Sequence, residues 1–106
     1  MKMPKFVLTY HGEMGGMPED PAAMQAVMDQ WGAWYGSIGD ALVDGGSPFG
    51  QNSAVGPDGS TVDPPSQLSG YTIVSADDVA GAAKIAQGCP VLAHGHTVQI
   101  SESIDM

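Results

Sequence analysis

The chain has 106 residues, which bounds it to a single domain, 1–106, with one modest core; domains of this size often draw extra burial from oligomerisation. Three basic residues, all lysine, against twelve acids give a net charge of −9. That excludes a basic phosphate-reading face, and so a nucleic-acid partner, and argues equally against anionic membranes.

Several further exclusions follow. Cys89 is the single cysteine, so no intrachain disulfide forms, and a lone thiol fits the reducing cytoplasm, the expected location. Without arginine, an anionic ligand would rely on backbone N–H groups, histidine or the few lysines. The opening residues hold only the short apolar run Phe6-Val7-Leu8, too short for a signal core, and no apolar stretch reaches membrane-spanning length.

Lys5 to His11 reads as a strand of β-favouring residues. Gly12 to Pro21 reads as a loop rich in Gly, Met and Pro, with Asp20 as N-cap and Pro21 opening a helix. From Ala22 to Val43, Met24, Val27, Met28, Trp31, Trp34, Tyr35, Ile38 and Leu42 recur at helical spacing and form one apolar stripe. Gly45 and Gly46 supply the expected stop. Ser47 to Gly56 reads as irregular extended chain. Pro57-Asp58-Gly59-Ser60 is a turn signal, so Gln51 to Pro65 is expected to form a long hairpin or a flap.

Gly70 to Ala76 reads as a central strand, followed by a helix over Asp77 to Gln87, with acids at the positive end of its dipole and Gly88 as its stop. Cys89 to His96 is an expected loop. Thr97 to Ile104 alternates as a last strand, with Val98, Ile100 and Glu102 on one face. The order predicts an α+β fold: a ferredoxin-like sandwich, an antiparallel sheet with two helices on one face. The helices leave the other face bare, and a second subunit is the simplest cover, which predicts a homodimer.

The sequence holds no Gly-x-Ser-x-Gly elbow, Walker loop or dinucleotide fingerprint. Asp44, in the run Val43-Asp44-Gly45-Gly46-Ser47-Pro48-Phe49-Gly50, is the best-placed acid. It reads either as a general acid–base in a partly apolar cleft or as a turn aspartate bonded to backbone N–H groups. His11 ends the first strand, and His11 with Asp44 is the preferred proton-transfer pair.

His94 and His96 flank Gly95. On a strand such a pair shares a face, as metal sites sometimes need, with His11, Asp44 or Glu13 as a third ligand; no further spacing supports it, and neither a metal nor a cofactor is expected. Trp31, Trp34, Tyr10 and Tyr71 read as core or as an aromatic pocket wall. Met14, Met17, Met24 and Met28 read as adaptable apolar filler. Cys89 follows a helix C-terminus, which disfavours a nucleophilic thiolate.

One resemblance spans most of the chain. Lys5-Phe6-Val7-Leu8, the pair Trp31 and Trp34, Asp44-Gly45-Gly46-Ser47-Pro48-Phe49, Gly70-Tyr71-Thr72-Ile73-Val74-Ser75-Ala76-Asp77-Asp78 and Gly88-Cys89-Pro90 together look like the YCII-related, or DGPF-domain, family. The resemblance implies a dimeric ferredoxin-like α+β barrel, and in some relatives a His–Asp pair in a cleft. Two departures stand out. Gly50 to Val55 is uncharged where relatives often carry charges, and Trp31 and Trp34 occupy the helix region that carries a histidine in the His–Asp relatives.

The expected function is therefore a small enzyme acting on a small, partly apolar metabolite. His11 and Asp44 would move protons, and Trp34, Ser47, Tyr71, His94 and His96 would shape the substrate site. The alternative is a non-catalytic ligand-binding or accessory dimer module, marked by a pocket without a poised acid–base pair.

Overall fold

The computed structural model describes residues 4–12 and 20–104, and of His94 only the backbone. Glu13, Met14 and Met17 lie outside the described residues.

Strand β1, Lys5–His11, alternates so that Phe6, Leu8 and Tyr10 point into the core. It pairs antiparallel on one side with β5, Leu68–Ser75, and on the other with β6, Thr97–Ser103. Strand β2, Leu42–Pro48, pairs antiparallel with the far side of β5, giving the sheet order β2-β5-β1-β6. Helices α1, Pro21–Ile38, and α2, Val79–Ala86, complete an α+β fold. With the two middle strands contributed by β1 and β5, the order is compatible with the ferredoxin-like arrangement.

The first helix starts as its sequence indicates. Asp20 accepts the Ala22 N–H at 3.2 Å, and Pro21 opens the first turn. It stops five residues earlier than the apolar period suggests. Gly39, at φ 61°, closes it, and Leu42 leaves the helix to pair opposite Val74. The stripe from Met24 to Leu42 is thus shared between two elements, because apolar residues are wanted on both sides of the Gly39 break.

Asp44-Gly45-Gly46 is therefore part of an edge strand and not a helix stop. The β2–β5 register shifts between Leu42 and Asp44 and again between Asp44 and Ser47. The Asp44 carboxylate accepts the Gly46 N–H at 2.9 Å. Gly46 has φ 77°, and a Cβ there would run into the Tyr71 carbonyl, 2.6 Å from its carbon. Only glycine permits this kink beside a neighbouring backbone.

Beyond β2, the short strands β3, Ala54–Val55, and β4, Thr61–Val62, form a separate hairpin. Its turn closes through Gly56 N–H to Ser60 O at 2.7 Å, with Asp58 accepting the Ser60 N–H at 2.9 Å. Helix α2 is capped by Asp78, which accepts the Gly81 N–H at 2.7 Å.

Both helices pack on one side of the sheet. Phe6, Leu8, Tyr10 and Val74 meet Trp34 of α1 and Ala82 and Ala86 of α2 in a single core. The Trp34 indole N–H donates to Ile85 O at 3.1 Å and ties α1 to α2. Trp31 stands against Tyr10, Trp34 and Tyr35 with ring centroids 5.6–5.8 Å apart. Tyr10 OH bonds Thr72 Oγ1, Thr72 donates to Gly45 O at 3.2 Å, and Tyr35 OH donates to the same carbonyl at 3.1 Å. Among the described residues, no buried side-chain nitrogen or oxygen lacks a partner.

The molecule is flat, 46 × 43 × 18 Å, with a radius of gyration of 15.2 Å. A compact chain of this length would have a radius of roughly 13 Å. No helix among the described residues is long and apolar enough to cross a membrane.

Candidate functional site

Residues opposite one another on antiparallel strands share a face, so the register defines what the helix-free side presents. Strand β1 contributes Val7, Thr9 and His11; β5 contributes Tyr71 and Ile73; β6 contributes Gln99 and Ser101. Apart from His11 and the Tyr71 phenol, the only charged or titratable side chain that β1, β5 and β6 add to this side is Lys5, although the chain carries twelve acids. The described acids sit elsewhere: along and around α1, on the hairpin, at the start of α2, at Asp44 on the β2 edge, and at Glu102, opposite Phe6 on the core side of β6.

His11 lies at one end of this face, half-buried, and both of its ring nitrogens are engaged. Nδ1 is 2.6 Å from Ser66 Oγ and Nε2 is 3.1 Å from Thr9 Oγ1. Thr9 is paired opposite Tyr71, and the Tyr71 ring stacks on Phe49 with centroids 5.6 Å apart. Ser47 sits opposite Tyr71 on the other flank, and the Phe49 N–H donates to Ser69 O at 2.9 Å. Asn52 fastens the segment above by pairing with both the N–H and the C=O of Leu68, at 3.1 and 2.9 Å. The result is an imidazole held between two hydroxyls, beside a two-ring apolar wall.

His11, Ser47 and Tyr71 are thus brought to one region. Asp44 is not. It pairs opposite Ile73, whereas His11 pairs opposite Leu68, two strands away. With strands about 4.8 Å apart and about 3.3 Å per residue, the two Cα atoms lie roughly 18 Å apart, and no hydrogen bond spans that distance. The carboxylate of Asp44 is exposed and satisfied by Gly46 N–H, which makes it a turn aspartate of the bulge.

Trp34 is on the opposite side of the sheet, 5% exposed in the core. The His96 ring packs against Gly12, where a Cβ would lie 2.5 Å from the ring's Cδ2, and its Nδ1 is 3.4 Å from Ser69 Oγ. It neighbours the His11 end of β1 without sharing a hydrogen bond with that ring. The side chain of His94 lies outside the described residues. No group of three His, Cys, Asp or Glu side chains among the described residues could hold a metal ion. Sequence reasoning missed Thr9 and Ser66. Thr9 reads only as a strand residue, and Ser66 only as the residue after a proline pair; its distance from His11 in the chain leaves no spacing signal.

Two shallow grooves lie on the helix side. One, of about 300 Å³, runs between α1 and α2 past Trp34, Ile38, Lys84 and Ile85; the other borders Ala33, Cys89 and Leu92. Among the described residues Lys84 is the only charged group in the first, and Cys89 in the second is a buried thiol whose pKa burial pushes up, away from the reactive thiolate. Gln30, Ser37 and Gln87 also border the second, but among the described residues neither groove brings an acid and a base together.

Compared with known proteins, the chain matches no family model, no curated protein and no solved structure.

Proposed function

We propose that the protein is a homodimeric small-molecule-binding module, YCII-related as its motifs suggest. In this reading each protomer is a ferredoxin-like sandwich, and two of them close a dimeric α+β barrel over the helix-free face. The observation that carries the site is His11 fixed between Thr9 and Ser66, next to the Tyr71–Phe49 stack. A face with so little charge, on a chain of net charge −9, supports the dimer, because two copies meet there with little like-charge repulsion. The flat shape, with both described helices on one side of the sheet, supports it too.

The ligand that suits the site is small, neutral and partly aromatic. The paired rings supply an apolar wall, His11 and the hydroxyls supply directional hydrogen bonds, and no arginine is available for an anion. The ligand-binding reading is favoured over the His11–Asp44 enzyme because the register separates the two residues. The remaining site residues of the sequence reading, Ser47 and Tyr71, belong to this ligand wall.

The test is a two-dimensional ¹⁵N–¹H titration with phenol, benzamide and benzoate. Phenol and benzamide are expected to shift the amides of Thr9, His11 and Tyr71, benzoate to shift them less, and His11→Leu to weaken the response. Shifts clustered instead around Trp34 and Lys84 would place binding in the helix-side groove and refute the proposal. For the dimer, Ile73→Lys puts a charge in the middle of the helix-free face, and sedimentation should show a dimer becoming a monomer.

A further inference from the structure

Ser66 follows the break Pro64-Pro65 and lies two residues before β5. The proline pair delivers its hydroxyl back over the end of β1, where Oγ lies 2.6 Å from His11 Nδ1. The far ring nitrogen, Nε2, is 3.1 Å from Thr9 Oγ1. A hydroxyl within reach of an imidazole that is itself oriented by a third group is the arrangement that turns a serine into a nucleophile.

The geometry points to Ser66 as a nucleophile for acyl transfer, with His11 as its general base, acting on small neutral esters. This goes beyond the binding reading and rests on it for the site. Both partners of the ring are hydroxyls, able to donate or accept; the step uses the tautomer in which Nε2–H donates to Thr9 and Nδ1 accepts from Ser66. Ser66 Oγ attacks the ester carbonyl carbon while its proton passes to His11 Nδ1. The carbon–oxygen bond to the leaving alcohol then breaks, and that oxygen takes the proton from His11. Water attacks the acyl-serine in the same way, giving its proton to His11, which returns it to Ser66 as the carboxylic acid departs. The Tyr71–Phe49 wall lies beside Thr9 and suits an aryl group. Thr9 is a positioning residue. Its neutral hydroxyl stabilises an imidazolium less than a carboxylate would, so both acylation and deacylation are expected to be slow, and an activated ester is the substrate to use.

The experiment follows p-nitrophenolate release from p-nitrophenyl acetate by the full chain and maps the acetyl group by peptide mass spectrometry. An acetyl on Ser66 is expected, absent in Ser66→Ala and still present at position 66 in Ser66→Cys, which also reports that the fold is intact. His11→Gln should slow acetylation by on the order of 100-fold. Thr9→Ser should keep the wild-type pH profile, and Thr9→Val should move its midpoint. Acetylation confined to lysines, at the same rate in wild type and Ser66→Ala, would overturn the inference. If phenol still shifts the Tyr71 amide in that case, the binding site stands and only the nucleophile is lost; if neither is seen, both readings fall.

Discussion

Replacing Gly46 by alanine should remove a large share of the stability, and the cost can be worked from its surroundings. Gly46 has φ 77°, a region that costs an L-residue about 1–2 kcal/mol. Its new Cβ would also meet the Tyr71 carbonyl, 2.6 Å from the carbon, and lie 3.2 Å from Thr72 Cα. Both atoms belong to the backbone of a central strand and cannot swing aside. Relief requires β2 to lift from β5, which breaks the hydrogen bonds that Tyr35 and Thr72 donate to Gly45 O. Each of those contributes about 0.5–1.5 kcal/mol. The sum is about 4 kcal/mol, against a total stability of roughly 5–15 kcal/mol for a domain. With a urea dependence of about 2 kcal/mol per molar, the midpoint should fall by roughly 2 M, read by tryptophan fluorescence and far-ultraviolet circular dichroism. A midpoint within about 0.25 M of wild type would refute the reasoning, since it would mean that β2 does not approach β5 this closely.

Other outcomes follow from the same interactions. Gly36→Ala, in α1 where no neighbour lies within 4 Å of the added carbon, should raise stability by about 0.5–1 kcal/mol in the same urea assay. Asp78→Ala removes the acceptor for Gly81 N–H and should cost about 1 kcal/mol, seen as a lower thermal midpoint. Burial raises the pKa of Tyr10, and also those of Tyr35 and Cys89, above their ordinary values near 10 and 9. The unfolded chain therefore releases these protons first, so the stability they contribute is full below about pH 9, begins to be lost as pH rises past 9 to 11, and goes on falling toward the raised folded values. Urea midpoints over that range should fall, and Tyr10→Phe should flatten the fall.

The sequence made some of these elements legible and hid others. The β-favouring run Lys5 to His11 became β1 with unchanged bounds, because a central strand paired on both sides matches its own local preference. Asp20 and Pro21 marked the start of α1 because capping is decided by neighbouring residues. The end of α1 was hidden, since Leu42 fits a helical period as well as it fits a slot opposite Val74. The Asp44 run looked like chemistry, yet its residues answer to the local geometry of a bulge, and only pairing with β5 shows that Gly46 must pass close to Tyr71. His11 was visible as a titratable residue at a strand end. Its partner Ser66 was not, because the contact between them exists only after β1 and β5 have paired.

The doubly kinked β2 has a consequence for how copies of the chain can stack. An edge strand that twists away from a regular ladder is a poor template for a further strand. The opposite edge, β6, is a regular seven-residue strand. The sheet therefore has one receptive border. Two copies joined border to border would exhaust it, so strand-by-strand growth ends at a closed pair and cannot run on into a fibre.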